Sequence, residues 1–529
     1  MKAMRTLVLL SSAASLSVVA DASAADLPVK AKAVEYVRVC SLYGAGFWYI
    51  PGTDTCIKIG GYVRADVTFN GGGSHGQPAW SGDSGQGNRY FDDFIARSRM
   101  ALQVDTRTAT EYGVVRTFGQ ANIQFNNFGT ANPSAGTFSF SLPGGLSGSV
   151  LNGEGGGYVP VEYLFVQFAG FTFGRSASAY ATPWQGFPSN ISSYLMGGQN
   201  SDIGVNNIQY TAQFGNGVSG TIGLEDPSVQ DRTSIYNLST GLNAVGTTGY
   251  AYGGTHAPDI NGNIRVDQAW GIFQISAAAH EVDASYNILT ASSGAPTSLS
   301  QISGHPDTKW GGSVQASADI KNLPTGVGDD IKIDTSYAKG LTKNVIATSS
   351  ASPSFAMFGG SSNAYQSIGF GATTDAVYLP VANGGTGDLK LTESWGVRGS
   401  YTHNWDAYWN SSLFGSASWV HYNGSSTDIT TAKGQFCFEY MTANKLTVPG
   451  AVSANFSCNP DYMVTQLGLN TRWTPVKNLT FTGEVMWFHL DQNFTGTALL
   501  TPSAPKPAAM YEFKDQDSFM LQVRAQRNF

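Results

Sequence analysis

Short stretches of alternating apolar and polar residues recur along most of this chain, and they constrain its fold more than any other feature. In residues 57–70, Ile57, Ile59, Val63, Ala65, Val67 and Phe69 share one face, while Lys58, Tyr62, Arg64, Asp66 and Thr68 share the other. Ile208, Tyr210, Ala212 and Phe214 oppose Gln209, Thr211 and Gln213; after Gly215-Asn216-Gly217 the apolar face resumes at Val218, Ile222 and Leu224. That is a hairpin by period and by turn chemistry. Leu467, Leu469 and Trp473 oppose Gln466, Asn470 and Arg472, and Phe519, Leu521 and Val523 oppose Gln522, Arg524 and Gln526. A transmembrane β-strand of about 9–11 residues needs one apolar and one polar face.

The pattern predicts sixteen strands near 57–70, 94–107, 111–125, 158–168, 171–176, 206–214, 218–225, 264–271, 272–285, 311–319, 331–338, 394–403, 406–422, 462–473, 479–490 and 518–529. Residues 339–393 leave room for a further hairpin around Tyr365–Tyr378. The connections alternate long and short, giving eight long polar loops and seven shorter turns. This asymmetry predicts a closed antiparallel transmembrane β-barrel over 57–529, with long external loops and short periplasmic turns. The first and last strands can then pair and remove the sheet edge. Composition agrees: Gly is 63 of 529 residues and charged residues only 13%, against a usual ~25%. No later apolar run reaches 18 residues, which excludes helical spans. A soluble β-sandwich would place large core residues where this chain often has Gly, Ala or Thr. Trp395, Trp473 and Trp487 sit where interface girdles are expected.

Lys2 and Arg5, an apolar stretch from Leu7 to Ala20, and Ala22-Ser23-Ala24 read as a cleavable secretory signal over 1–24. Residues 25–56 then form a periplasmic lead into the barrel. The formal net charge is −7, and loss of Lys2, Arg5 and Asp21 with the signal leaves −8. That balance argues against a nucleic-acid partner. An even cysteine count in an exported chain reads as disulfides. Of three connectivities, the local one, Cys40–Cys56 and Cys437–Cys458, is expected. No His or CxxC accompanies these cysteines to favour zinc.

The segments DLPVKAKAVEYVRVCSLYGAGFWYIPGTDTCIKIGGYVRAD (26–66), VQFAGFTFGR (166–175), YTAQFGNGVSGTIGLEDP (210–227), SWGVRGSYTHNWD (394–406), TRWTPVKNL (471–479) and VRAQRNF (523–529) resemble the alphaproteobacterial porins, relatives of the general diffusion porins. The resemblance covers nearly the whole chain after the signal. It implies a sixteen-stranded outer-membrane barrel, usually a homotrimer set among outer-membrane lipid and lipopolysaccharide, with the third external loop folded into the lumen. In this sequence that loop is near 177–205, with Tyr180, Trp184, Phe187 and Tyr194, and Asp202 as its only charge. Such loops usually carry more acids. A terminal aromatic on an alternating strand resembles the assembly signal of such barrels, which assigns that role to Phe529. Arg527 departs from the commoner apolar residue there.

Arg64, Arg97, Arg99 and Arg116 fall on the polar faces of the first three strands. A charge facing mid-bilayer lipid costs roughly 2–4 kcal/mol, so these side chains should face water. In porins such a basic cluster lines the pore opposite the constriction loop; pairing with Asp66 and Asp105 is the plainer alternative. His280, His403, His421 and His489 lie in or beside strands without a metalloprotease or Ser-His-Asp pattern. No enzyme activity, cofactor or metal site is expected. The expected function is passive diffusion of small hydrophilic solutes and ions, with a substrate-specific channel as the alternative.

Overall fold

The computed structural model describes residues 38–529 apart from 73–74, 90, 127–129, 133–136, 140–158, 201–202, 229–231, 250, 291–293 and 349–351. The expected signal over 1–24 and Asp202 lie outside the described residues. Sixteen strands form the barrel: β1 (Thr55–Phe69), β2 (Phe94–Thr110), β3 (Gly113–Asn126), β4 (Val161–Phe168), β5 (Phe171–Ser176), β6 (Val205–Gly215), β7 (Val218–Glu225) and β8 (Asp259–Gln268) in the first half. The second half comprises β9 (Gly271–Val282), β10 (Lys309–Lys321), β11 (Asp330–Lys339), β12 (Glu393–Asn404), β13 (Trp409–His421), β14 (Tyr462–Val476), β15 (Leu479–Gln492) and β16 (Gln516–Asn528). Each pairs antiparallel with its sequence neighbours, and β1 closes on β16 from Tyr62↔Asn528 to Phe69↔Leu521. Short turns gather at one end and long connections at the other.

The alternation produces the barrel because each strand exposes its apolar face outward. Ile264 and Ile275 remain 64% and 68% exposed, while Asn470, Glu484 and Gln522, on inward faces, are buried. Asn216 and Gly217 adopt positive φ angles of 50° and 76°, the left-handed geometry that closes a two-residue turn. The eighth strand begins five residues before the expected 264–271. Gly262 stands on its outer face between Ile260 and Ile264, and the missing side chain hides the period upstream. Two aromatic girdles appear: Trp395 stacks on Trp419 at 6.2 Å and Trp409 on Trp473 at 5.7 Å. Trp409 and Trp419, ten residues apart on β13, span roughly 34 Å along the strand, or about 26 Å across the membrane at ~40° tilt.

The hairpin expected around Tyr365–Tyr378 does not form: Ala376–Tyr378 pairs with Leu389–Leu391, and Gln366–Gly371 turns back on an earlier segment, both outside the wall. Phe355–Gly359 pairs with Gln366–Gly371, which continues in parallel onto Ala509–Phe513 of the last long connection. Above the barrel the long connections share a buried core that includes Trp80, Tyr236, Phe355, Phe370, Phe436, Tyr440, Phe494 and Tyr511. Each such side chain contributes roughly 1.5–3 kcal/mol on burial, enough to hold these loops as a packed cap. The one longer helix among the described residues, α1 (Ala432–Ala443), is capped by Thr431 Oγ1 accepting from Gly434 N.

Both disulfides have the local connectivity, Cys40–Cys56 and Cys437–Cys458. The first ties the segment before β1 to the start of that strand; the second ties α1 to the approach to β14. Peptide mapping without reduction should return these two pairs, and a Cys40–Cys437 peptide would contradict the topology. The second bond closes 21 residues, which in the chain-entropy model stabilises by about 3 kcal/mol. Replacing Cys437 and Cys458 together with alanine should therefore lower the melting temperature measurably.

Candidate permeation path

Residues 177–200 leave β5 and run inward across the barrel. Ala179 N donates to Glu225 Oε1 at 2.8 Å, and the Ala179 and Ala181 carbonyls accept from Asn263 and Gln274 at 2.6 Å. Further on, Ser189 meets Ser400 and Thr402 at 2.8 and 3.1 Å, and its carbonyl accepts from Asn470 at 3.0 Å and from Arg472. The Glu484 carboxylate takes the amides of Ile191 and Ser192 at 2.6 and 3.1 Å. Gln466 accepts from Met196 N at 2.8 Å and donates to Tyr194 O at 2.7 Å. Arg398 donates to Gln199 O at 2.9 Å and to Asn200 Oδ1, while its Nε holds Asp334 at 2.8 Å. The segment thus lies along the inner faces of β7–β9 and β11–β15, and covers the polar side chains there.

Four of the aromatic residues singled out in this loop are described. Tyr180 is buried beside Asp334. Trp184 is partly exposed. Phe187 packs against Leu195, Phe414, Met486 and Met520, with the Arg398 guanidinium 5.9 Å from its ring. Tyr194 is buried edge-on against Trp80 at 5.8 Å. The loop is polar mostly through its backbone, so the barrel wall supplies the charges that position it.

The opposite wall, β1–β4 with β16, carries the arginines. The register places Arg64 beside Arg99 and Asp66 beside Arg97. Arg97 binds Asp66 at 2.5 Å, Arg524 binds the other carboxylate oxygen, and Arg97 and Asp66 are almost fully buried. His75 and Gly76 of the first long connection lie over this pair: His75 is buried, and Gly76 N donates to Thr68 Oγ1 at 2.7 Å. Arg99 binds Glu162 at 3.0 Å and remains partly exposed, as does Arg64, whose Nε donates to Gln526 at 2.8 Å.

Arg116 does not join this group. It pairs in register with Arg107, and both bind Asp105 at 3.0 Å. That level is eight residues along β2 from Arg99, roughly 27 Å at the usual strand rise. The register brings Arg64, Arg97 and Arg99 together, with Arg97 paired to Asp66 and Arg99 to Glu162, while Arg116 pairs with Asp105 at a separate level. Arg524 was missed as a group member. It shares its face with Gln522 and Gln526 in the sequence, but only closure of β16 on β1 brings it beside Asp66. Arg398 and Glu484, which hold the crossing loop, likewise gave only a polar-face signal. Phe529 continues the closing ladder, with its amide donating to Gly61 O at 3.1 Å.

Among the described residues there is no group of three or more His, Cys, Asp or Glu side chains that could hold a metal. The sequence model of the Porin subfamily matches residues 26–521. The chain belongs to the porin subfamily. Porin Omp2b of Brucella suis biovar 1 (strain 1330) is 34% identical to this porin over 272 residues, and Omp2b of Brucella abortus (strain 2308) matches equally. The match takes in 50% of this chain and spans 62% of the length of those relatives. Among solved structures, the outer membrane channel DcaP of Acinetobacter baumannii superposes with a TM-score of 0.54 at 14% identity, covering 91% of this porin and 99% of that chain. The shared fold is the closed outer-membrane barrel, so the long connections of this porin are its external loops and the short turns are periplasmic. The family is one of channels rather than enzymes.

Proposed function

We propose that this porin forms a water-filled pore for passive diffusion of small hydrophilic solutes and ions, with residues 177–205 as its constriction loop. The observation that carries this reading is the placement of the crossing loop. It hydrogen-bonds along the wall from β7 to β15 and leaves the partly exposed Arg64, Arg99 and Arg116 on the facing wall. Fixed charges along a narrow water path bias ion choice. Exposed charges farther than roughly 8–10 Å are screened at physiological salt, so the wall outweighs the acidic external loops. The chain is exported through cleavage of residues 1–24, and Phe529 serves as the assembly signal.

The porin assembles as a homotrimer among outer-membrane lipid and lipopolysaccharide. Hydroxyl pairs on the outer face of β1–β3, such as Thr55–Thr108 at 2.8 Å, suit contact with another copy better than hydrocarbon. Unheated gel migration and cross-linking test this, and monomers in both would refute it.

Conductance in a planar bilayer tests the pore itself; a folded barrel that stays silent in KCl would overturn the reading. Replacing Arg64 and Arg99 with serine should shift the reversal potential toward cations, raising the cation-to-anion permeability ratio about threefold. An unmoved potential in a folded double variant would remove the basic wall from the path.

A further inference from the structure

The inner wall of β3 and β4 carries aromatic rings where a water-filled lumen favours polar residues. Phe118 shares its face with Arg116 and Gln120, and Phe165 shares its face with Gln167, whose Oε1 accepts from Arg116 at 2.9 Å. Phe118 lies 5.4 Å from Phe165 and 6.3 Å from Tyr163, and all three rings remain partly exposed. The Arg116 guanidinium sits 5.2 Å from the Phe118 ring and 5.5 Å from that of Phe165. Toward the external side, Arg64 lies over the Tyr62 ring at 4.4 Å, and Arg99 reaches the Tyr62 hydroxyl at 3.5 Å.

Register orders these groups along the wall. The Arg107↔Arg116 pair comes first from the periplasmic side, followed by Phe118 with Phe165, then Tyr163 with Gln120, then Tyr62, and then the Arg64↔Arg99 pair. Cations thus stand at both ends of an aromatic stretch. Six arginines on this wall (64, 97, 99, 107, 116 and 524) are bound to three carboxylates, Asp66, Asp105 and Glu162, or to neutral amides, so a positive excess remains.

We propose that this strip recognises small aromatic carboxylates and makes the pore prefer them over aliphatic anions of equal charge. The proposal rests on the diffusion-pore reading and names its favoured solute class. An arginine fork matches a carboxylate geometrically, and a ring face or edge adds about two- to tenfold in affinity by offset or edge contact. The order of groups suits transit. A carboxylate captured at Arg64 and Arg99 leaves its ring beside Tyr62 and Tyr163, and the anion can pass to Arg116 while the ring slides onto Phe118 and Phe165. Several weak sites in series let the solute leave as well as enter.

The test is a set of bi-ionic reversal potentials across bilayers holding the full porin, with benzoate, cyclohexanecarboxylate and acetate as the probes. Benzoate is larger than acetate, so free diffusion sets a benzoate-to-acetate permeability ratio below one. The expected ratio for the wild type is above one, with cyclohexanecarboxylate well below benzoate. Phe118→Leu with Phe165→Leu keeps apolar volume but removes the ring faces, and should lower the ratio about threefold. Phe118→Ala with Phe165→Ala should do the same, and heat-dependent gel migration checks that each variant is folded. A wild-type ratio no higher than free diffusion, or one the folded leucine variant leaves unchanged, overturns the proposal while KCl conductance keeps the pore reading intact. A porin silent in KCl overturns both.

Discussion

Replacing Arg398 with alanine is expected to give the largest loss of stability of any single change in the wall. Arg398 and Asp334 are both fully buried, and Arg398 Nε meets the two carboxylate oxygens at 3.0 and 2.8 Å. Removing the arginine leaves Asp334 buried without its partner, which costs about 3–5 kcal/mol. It also frees Gln199 O and Asn200 Oδ1, the contacts that hold the returning limb of the crossing loop. The barrel should unfold at a clearly lower temperature by circular dichroism, and channel records should become noisier. Replacing the pair together, Arg398→Met with Asp334→Leu, should recover most of the stability, because a buried ion pair gains little over apolar side chains of similar volume. It should not recover the quiet channel, since the loop contacts stay lost. A melting temperature unchanged by Arg398→Ala would show that the pair does not hold the loop.

The second large effect is expected at Glu484. Its carboxylate accepts from the backbone of Ile191 and Ser192 and from Asn470 Nδ2 at 3.1 Å, all in a buried setting. Glu484→Ala strips two loop amides of their acceptor, and each buried unsatisfied donor costs roughly 1–3 kcal/mol. The cheapest relief is for the segment around 188–193 to leave the wall and take up water. Single-channel conductance should then change and split into sublevels. Glu484→Gln keeps one acceptor oxygen and the side-chain shape, and should fall between wild type and alanine. Records indistinguishable from wild type in Glu484→Ala would mean that the loop is held by its other contacts alone.

The strand number, the long and short connections and the local disulfides were legible in the sequence because each depends on residues close together in the chain. A period of two fixes which side chains face lipid, and one apolar face per strand leaves little freedom in register. The Gly215–Gly217 turn and the face shared by Arg97 and Arg99 are of this kind. Where a strand residue has no side chain, as at Gly262, the period weakens and the boundary was misplaced. The Phe355–Gly371 hairpin shows a second limit. Phe355-Ala356-Met357-Phe358 run together without a polar face, so no period marks the strand, and it buries in the loop core with Phe436 and Phe494 instead of joining the wall.

What the tertiary structure alone decided is which polar side chains meet across the lumen. Arg524 stands 458 residues from Asp66 and becomes its partner only through closure of β16 on β1. Arg116, which the sequence grouped with Arg97 and Arg99, is separated from them by strand rise and falls to Asp105. Arg398 and Glu484 carry no local mark that distinguishes them from other inward polar residues. Their role comes from a loop that begins after β5 and reaches strands more than 200 residues later. Alternation tells which face of a strand meets water, but it says nothing about what lies across that water, because that depends on barrel circumference, stagger and loop path, which no local pattern encodes.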